Sequence, residues 1–371
     1  MEIKFSWGMM FVLGLVGSML VGCALDAAGE NRKEDLEMDL SGEWAFQIDQ
    51  QDQGIEEKWF EKDLSDSILL PGSMPERGKG LPVGYDTQFL GAIWKKYPAG
   101  QTWADDPNYK PFLKDDEFRF PFWLISDFHY IGAAWYQKEI TVPADWAGKP
   151  VELFLERPHW ETQVWINGER VGMHNGLGVP HRYDVGSFLK PGVNKITICV
   201  DNRMKINVGQ DAHSVSDNTQ SNWNGLVGKM KLIRKDAVFV SNVKIFPNIE
   251  KKVARLEIEL KNTTDAVQEG VLKLSAQTAY SDDKQTVAPK QVAYTAAAGA
   301  ETVVVEYPMG DEVRLWDEFS PTVYELSVAL DEGDAAAAWS GTFGMREIRR
   351  VGRSLEMNGR PVFFRGTLEC C

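Results

Sequence analysis

Residues 164–174 read VWINGERVGMH, and this stretch decides the fold class. The apolar residues 164–166 precede the dipeptide Asn167-Gly168, and a return strand near Val171 follows it. Asn and Gly adopt positive φ angles more readily than other residues. The pattern predicts two antiparallel strands joined by a two-residue turn. Alternation of apolar and polar residues occurs upstream in residues 135–142, which read WYQKEITV. The middle of the chain is therefore predicted to be a β-sandwich with hairpins.

Short alternating runs continue through the rest of the chain. From Leu40 onward no long stretch keeps the period of a helix, and turns rich in Gly, Pro, Asn and Asp separate the runs. A second all-β block begins near Val238, and its length of about 110 residues is typical of an immunoglobulin-like sandwich. Its strands are predicted at residues 253–260, 271–274, 302–307 and 324–330. The fold class is therefore predicted to be all-β, with two sandwiches.

Length, charge and cysteine usage exclude several classes. At ~150 residues per domain, the 371 residues are enough for two or three domains. The 54 acidic and 40 basic residues give a net charge of -14, which repels phosphate backbones and excludes nucleic acid as a partner. Cysteines at positions 23, 199, 370 and 371 form no Cys-x-x-Cys, and the five histidines have no ligand spacing. We expect no disulfide framework, no metal and no cofactor.

The first 23 residues are typical of an export signal. Lys4 precedes an apolar run from Met9 to Val21, which is shorter than the ~20 residues that a spanning helix needs. The residues LVGC at 20–23 resemble a bacterial lipobox, in which Cys23 carries the lipid anchor. We therefore expect an exported bacterial lipoprotein at the periplasm or outer-membrane surface, with residues 24–38 as a tether. A plain cleaved signal or a buried Cys23 is the alternative.

Several motifs, in order along the chain, resemble glycoside hydrolase family 2. The residues LPGS at 70–73, YIGAAWYQKEI at 130–140, the 164–174 stretch, and KPGVN at 190–194 resemble the family's N-terminal sugar-binding domain. The residues SPTVYEL at 320–326 and FGMRE at 343–347 resemble the closing strands of its immunoglobulin-like domain. Residues 357–367, MNGRPVFFRGT, resemble the entry strand of its catalytic (β/α)8 barrel. The resemblance spans residues 40 to 371.

This resemblance implies a domain order and a more specific fold. A jelly-roll, galactose-binding-like sandwich is expected over residues 39–236, an immunoglobulin-like sandwich over 237–346, and the first strand of a missing (β/α)8 barrel within 347–371. The family's retaining mechanism uses two glutamates at the ends of barrel strands, and the acid/base usually follows an Asn. The sequence contains no Asn-Glu dipeptide. We therefore assign no catalytic residue.

The resemblance also implies a substrate-binding role for two loops of the first domain, which in the family reach over the barrel mouth. The matching residues are His129 and Tyr130 in one loop, and Gln220, Asn222 and Trp223 in the other. The family's aspartate has no counterpart at Gln220 or Ser221. Ten of the 12 tryptophans that follow the signal lie between Trp44 and Trp223, which favours a ligand surface on the first block. The alternative is that these side chains pack and close turns, and the cluster 159–161 is a further candidate.

The function expected from these features is that of a non-catalytic part. The chain is predicted to be the N-terminal portion of an exported family 2 β-glycosidase, of the β-galactosidase or β-glucuronidase type, that contributes the rim of the sugar pocket. The expected partner is a β-linked glycan, and the full-length enzyme is expected to form homo-oligomers. The alternatives are a stand-alone carbohydrate-binding surface lipoprotein and a structural adhesion module. The sugar and its linkage stay open at this stage.

Overall fold

The computed structural model describes residues 36–84, 87–90, 101, 103–108, 110, 125–209, 212–217, 222–280, 284–330 and 338–367. These residues fall into two compact units, a first unit over Met38–Arg234 and a second unit over Lys235–Gly366. The predicted signal, most of the tether, Cys23 and Gln220 lie outside the described residues. Within the described part of the chain, no helix has the length and apolar character needed to cross a membrane. The predicted domain boundaries stay predictions.

The first unit contains thirteen described strands, of which eleven form two sheets. One sheet has the order β10-β9-β12-β7-β2-β3, and the other has the order β1-β13-β8-β11 with β4 paired to β13. The strands are β1 (Glu37–Asp39), β2 (Gly42–Asp49), β3 (Asp66–Leu70), β4 (Gly72–Ser73), β5 (Leu81–Pro82), β6 (Phe128–His129), β7 (Ala133–Val142), β8 (Val151–His159), β9 (Glu161–Ile166), β10 (Glu169–Asn175), β11 (His181–Asp184), β12 (Gly192–Asp201) and β13 (Gly225–Arg234). Short β5 and β6 pair with each other outside the two sheets.

The hairpin predicted from residues 164–174 is confirmed. Strands β9 and β10 pair antiparallel with Ile166 opposite Glu169, so Asn167 and Gly168 alone form the turn. Their φ angles are 53° and 84°, which is the left-handed pair that a twisted two-residue hairpin requires. Hairpins of this kind set the register of the whole sheet, because a slip by one residue would turn every side chain to the opposite face.

Alternation along the strands produces the core between the two sheets. On β7, Ala134, Tyr136 and Ile140 point inward and are buried, and on β8 Leu153 and Leu155 do the same. Burying one such large apolar side chain stabilises the fold by about 1.5–3 kcal/mol. The core therefore fixes which face of each strand is turned to the outside.

A second apolar layer covers the opposite face of β7. Trp135 and Trp165 point away from the central core, yet both are buried. Trp59 and Phe60, from the connection between β2 and β3, pack against them, and Phe60 stacks on Trp165 with ring centroids 5.1 Å apart. Gln137 donates a 2.9 Å hydrogen bond to the Trp59 carbonyl oxygen, which fastens the connection to the sheet. The outer face of the six-stranded sheet is thus covered around Trp135 and Trp165.

The second unit is a sandwich of a three-stranded and a four-stranded sheet. The orders are β14-β15-β18 and β17-β16-β19-β20. The strands are β14 (Val238–Asn248), β15 (Val253–Asn262), β16 (Gln268–Ala279), β17 (Thr286–Ala296), β18 (Gly299–Pro308), β19 (Val323–Leu330) and β20 (Trp339–Phe343). Along β15, Leu256, Ile258 and Leu260 alternate with less buried residues and enter the core. The predicted all-β class, with two sandwiches, is confirmed.

A small antiparallel sheet follows the second sandwich. It consists of β21 (Ile348–Val351), β22 (Ser354–Met357) and β23 (Arg360–Val362). Strands β22 and β23 are joined by a turn at Asn358 and Gly359, whose φ angles are 51° and 76°. Residues 357–367, which were compared with a barrel entry strand, contain the end of β22 at Met357 and the whole of β23, and residues 363–367 have no regular secondary structure.

Candidate functional site

A buried carboxylate organises the loops at one end of the first unit. The Asp217 side chain is 0% exposed. It accepts hydrogen bonds of 2.8 Å from the backbone N–H of Leu90 and of 2.8 Å from the backbone N–H of Asn222. His129 Nε2 lies 3.1 Å from Asp217 Oδ2. One carboxylate thus joins three segments that are far apart in sequence.

His129 is fixed from two sides. Its ring meets Asp217 through Nε2, and the ring of Phe89 packs edge-on against it at a centroid distance of 5.4 Å. The histidine is 6% exposed. Because buried polar groups cost free energy unless they are paired, this arrangement positions β6 and residues 87–90 together.

Asn202 and Asn222 bind each other and the adjacent backbone. Asn222 Nδ2 donates to the carbonyl oxygens of Asn202 and Val215, at 3.1 and 3.4 Å. Asn222 Oδ1 accepts from Asn202 Nδ2 at 3.2 Å, and Asn202 Nδ2 also donates to the Tyr130 carbonyl at 2.8 Å. The Asn222 side chain is fully buried, so its amide is used to hold the loop against the sandwich.

Asn224, two residues after Asn222, also binds backbone groups of the sandwich through its side-chain amide. Its Nδ2 donates to the carbonyl oxygens of Gly132 and Val200, at 3.1 and 2.9 Å. Its Oδ1 accepts a 2.9 Å hydrogen bond from the Tyr136 hydroxyl. Every polar atom of this amide is thereby satisfied in the protein interior, which is the arrangement that makes such a group stabilising.

Most of the residues predicted to bind substrate are brought together. His129, Tyr130 and Asn222 share the network just described, and Trp223 follows directly in the chain. Tyr130 is 6% exposed, and its hydroxyl donates to the Ala133 carbonyl at 2.8 Å. Burial, followed by the nearby Asp49 carboxylate, raises the pKa of Tyr130 above its ordinary value. Substrate contact by these residues and by Gln220, which lies outside the described residues, stays a prediction.

Trp223 packs on the 159–161 cluster. Its ring is half-buried and stacks on His159, with centroids 4.5 Å apart and planes 21° apart. His159 Nδ1 lies 2.5 Å from the Trp223 carbonyl oxygen and donates to it. Burial lowers the pKa of His159, although the carbonyls of Trp223 and Ser214 oppose that change. His159 therefore packs against one face of the Trp223 ring, and part of the ring stays accessible to solvent.

A cavity of about 590 Å³ opens beside this network. It falls in the ~300–1,000 Å³ range of small-molecule sites. The cavity lies within the first unit, next to the buried pair formed by His129 and Asp217. Its lining residues are Asp49, Gln50, Asp52, Leu81, Pro82, Thr87, Gln88, His129, Tyr130, Ile131, Gly132 and Arg203.

Arg203 forms one wall of the cavity and is paired twice. Its Nη2 donates to Asp201 at 2.6 Å, and its Nη1 donates to Asp52 at 2.6 Å. Burial by itself would raise the pKa of Asp201, but hydrogen bonds from Arg203 and Lys205 lower it overall. The guanidinium is therefore neutralised by neighbouring carboxylates.

Sequence reasoning missed Asp217, Arg203 and Asn202. Asp217 lies a few residues before the position at which an aspartate was sought, and nothing in the local sequence shows that it is buried. Within the described residues, no group of three or more His, Cys, Asp or Glu side chains could hold a metal ion. The groups that are present can bind and position a hydroxyl-rich ligand.

Two family profiles match the chain in sequence order. The profile described as "Glycosyl hydrolases family 2, sugar binding domain" matches residues 100–236, and the profile described as "Glycosyl hydrolases family 2" matches residues 238–346. Together the two matches cover more than half of the chain.

Similar proteins extend well beyond the matched length. A β-glucuronidase of Paenibacillus borealis is 25% identical over 349 residues, which is 88% of this chain and 48% of that protein. A β-galactosidase of Klebsiella pneumoniae is 22% identical over 349 residues, which is 92% of this chain and 30% of that protein. The solved structure of a β-glucuronidase from Ruminococcus gnavus in complex with D-glucaro 1,5-lactone superposes with a TM-score of 0.59 at 17% identity, covering 89% of this chain and 49% of that one. The chain thus spans between about a third and a half of these relatives.

Proposed function

The chain belongs to glycoside hydrolase family 2, and from this premise we propose that it is the non-catalytic N-terminal part of an exported, lipid-anchored β-glycosidase. The observation that carries the proposal is the order of the two family profiles, over residues 100–236 and 238–346, on two consecutive sandwiches. The reaction of the whole enzyme is hydrolysis of an O-glycosyl bond, of the β-galactosidase or β-glucuronidase type that the relatives' names give.

Binding and positioning are the tasks that this part of the enzyme performs. A retaining glycosidase needs two carboxyl groups about 5 Å apart, one of which must attack the sugar as a nucleophile. Asp217 is buried and accepts hydrogen bonds from two backbone N–H groups and contacts His129, and Asp201 is paired with Arg203 and Lys205. Carboxylates used in this way support the fold, so we place the catalytic pair in a separate barrel domain.

The loop that carries Trp223 is the part of this chain that reaches the sugar pocket. Asn222 and Asn224 bind the carbonyl oxygens of Asn202 and Val200, and Asp217 accepts from the Asn222 N–H within the loop. A loop fixed in this way can present the accessible face of Trp223 to a sugar ring with little loss of conformational entropy. This arrangement supports the rim role that the family resemblance implies.

Exposed apolar side chains in the second unit support a further packing domain. Phe319 is 82% exposed, Phe363 is 85% exposed and Phe364 is 57% exposed. Phe363 and Phe364 are adjacent in the chain, and large apolar groups exposed near one another mark interaction surfaces more often than scattered single residues do. We propose that the catalytic barrel covers part of this surface.

Export and anchoring rest on the sequence of the first 23 residues. The proposed lipid-bearing residue is Cys23, and the sugar-binding unit would then be tethered at a membrane surface. Expression in a bacterial host with a radiolabelled fatty acid tests this: label should enter the intact chain and should be lost in Cys23→Ala. Equal labelling of both chains would remove the anchor from the proposal.

Two measurements test the hydrolase proposal. The purified 371-residue chain should not turn over aryl β-galactosides or aryl β-glucuronides, and the genomic DNA beyond the codon for Cys371 should encode a barrel with two strand-end glutamates. Turnover by the purified chain, free of contaminating enzyme, would contradict the non-catalytic assignment. A stop codon with no barrel in any frame would overturn the hydrolase proposal and favour a stand-alone glycan-binding protein.

A further inference from the structure

The 590 Å³ cavity of the first unit combines groups that bind sugars with a local charge that selects among them. We propose that it binds one uncharged, hydroxyl-rich sugar residue and discriminates against uronates. The inference rests on the proposed function for the class of ligand, and the cavity itself rests on the geometry of the first unit alone.

Polar groups with unused hydrogen-bonding capacity line the cavity. Gln50 is exposed, and Asp52, which also lines the cavity, accepts a hydrogen bond from Arg203 through its Oδ2 atom. The Thr87 hydroxyl accepts from the Gly84 N–H at 2.8 Å, which leaves its own proton to donate. Sugar hydroxyls are both donors and acceptors, so a mixture of carboxylate, amide and hydroxyl groups suits them.

Apolar groups provide the surface that the C–H faces of a sugar ring require. Leu81, Pro82 and Ile131 lie in the lining among the polar groups, and Leu81 is 46% exposed. A site with a few polar groups set among apolar side chains orients a ligand while excluding water from one of its faces. The composition of the lining thus matches a pyranose better than a purely ionic ligand.

The charges at the cavity disfavour an anionic sugar. Asp49 and Asp52 both line it, whereas Asp201, which lies behind Arg203, is also paired with Lys205. The one guanidinium in the lining is shared between Asp52 and Asp201, so the carboxylates outnumber the cation. A uronate placed here would meet like charges, and one such charge at 4 Å weakens binding by about fivefold even in water.

Asp49 belongs to the wall and to the fold at the same time. It accepts hydrogen bonds from the backbone N–H groups of Gln53 and Gly54, both at 2.8 Å, and from Trp135 Nε1 at 3.1 Å. These three donors hold the Asp49 carboxylate in one position in the wall of the cavity. The discrimination therefore does not depend on a ligand-induced movement.

A pair of probes that differ only at C6 tests the proposal. Methyl β-D-glucopyranoside carries a neutral hydroxymethyl group there, and methyl β-D-glucuronide carries a carboxylate. Each is titrated into the intact 371-residue chain by calorimetry, or by NMR with shifts of the labelled protein. We expect the glucoside to bind at least about fivefold more tightly than the glucuronide at low salt, with the gap narrowing as salt screens the carboxylates.

Substitutions of residues that line the cavity test whether the sugar binds there. Gln50→Ala should weaken glucoside binding by about threefold to tenfold, whereas Gln291→Ala, an exposed glutamine of β17 in the second unit, should leave it unchanged. Asp52→Asn should narrow the preference for the glucoside, because it removes one negative charge and frees one nitrogen of Arg203. Far-UV circular dichroism of each variant verifies the fold.

Specific results would overturn this site. They are absence of binding of methyl glucoside and methyl galactoside at about 50 mM, equal or tighter binding of the glucuronide at low salt, and unchanged affinity in both Gln50→Ala and Asp52→Asn. The outcomes are distinguishable from failure of the hydrolase proposal. A barrel encoded downstream with no binding by this chain removes the cavity site alone, and sugar binding with no barrel removes the hydrolase proposal alone.

Discussion

The two sandwiches of this chain handle buried polar groups in opposite ways. Of the buried polar and charged residues in the described part of the chain, Asn262 and Thr278 belong to the second unit and the others to the first. In the first unit they include Asp217, Asn222 and Asn224, which fix loops at one end of the sandwich. The second unit has a core of alternating aliphatic side chains. The comparison shows that the first unit uses its interior to position a surface, whereas the second is stabilised mainly by packing.

The largest expected effect comes from removing the carboxylate of Asp217. Asp217→Ala leaves two backbone N–H groups and His129 without their buried acceptor, and we expect a loss of about 3–5 kcal/mol in unfolding free energy. Urea unfolding followed by tryptophan fluorescence measures it. Asp265→Ala, at an exposed aspartate of the second unit, is the matched control and should change stability by less than about 0.5 kcal/mol. Similar effects of the two variants would contradict the comparison.

A packing deletion should act on the second unit. Leu326→Ala removes a fully buried side chain of β19 and should cost about 2–5 kcal/mol, depending on how far the core relaxes. Hydrogen exchange measured by mass spectrometry reports the protection of individual peptides, so the two units can be followed separately. Protection should fall in β15, β16 and β19 and remain in β7 and β12 of the first unit. An equal loss in both units would show that they unfold as one body.

A smaller effect is expected at Asn224. Asn224→Ala removes the acceptor of the Tyr136 hydroxyl and the donor to Gly132 and Val200, and we expect a loss of about 1–3 kcal/mol. A double-mutant cycle with Tyr136→Phe measures the interaction free energy between the Tyr136 hydroxyl and the Asn224 amide. Additive losses in the cycle would show that these two side chains do not act as a pair.

The smallest effect concerns pH. Burial lowers the pKa of His159 and of His181 below the ordinary value of ~6.5 that each has in the unfolded chain. Below that value the unfolded state takes up protons that the folded state resists, so stability is full above about pH 6.5 and falls as the pH drops towards the lowered folded value. Urea midpoints measured between about pH 7.5 and 5.5 should show this decline.

A histidine variant sharpens the pH measurement. His159→Asn should flatten part of the decline, because it removes one of the two histidines whose pKa is lowered by burial. The exposed His213 supplies the control, and His213→Asn should keep the decline of the parent chain. A decline that is the same in all three chains would assign the pH dependence to other groups.

Local sequence was a good guide wherever a neighbouring residue sets the structure. The Asn167-Gly168 turn follows from the φ angles that these two residues accept, and the strands around it follow from alternation. Alternation failed at Trp135, which occupies an outward position on β7 and is nevertheless fully buried. The reason is that Trp59 and Phe60, from a connection many residues earlier in the chain, cover that face.

The candidate site was foreseen in outline only. The motifs placed His129, Tyr130 and Asn222 in loops at one end of the first domain, and the structure brings them into one network. The contact of His129 with Asp217 and that of Tyr130 with Asn202 were not foreseeable, because these partners are 88 and 72 residues apart and carry no periodic signal. The cavity and its excess of carboxylates were not foreseeable either, because segments distant in the sequence line it.

Alternation, turn residues and ordered motifs are local properties of a chain, so they were enough to predict the all-β class, the Asn167-Gly168 hairpin and the family. Tertiary structure decided which polar groups are buried and paired, which aromatic rings are covered, and where a cavity remains. These properties depend on contacts between distant segments, such as that of Leu90 with Asp217. The free energy of a buried polar group is set by the partner that the fold brings to it, and a linear sequence does not specify that partner.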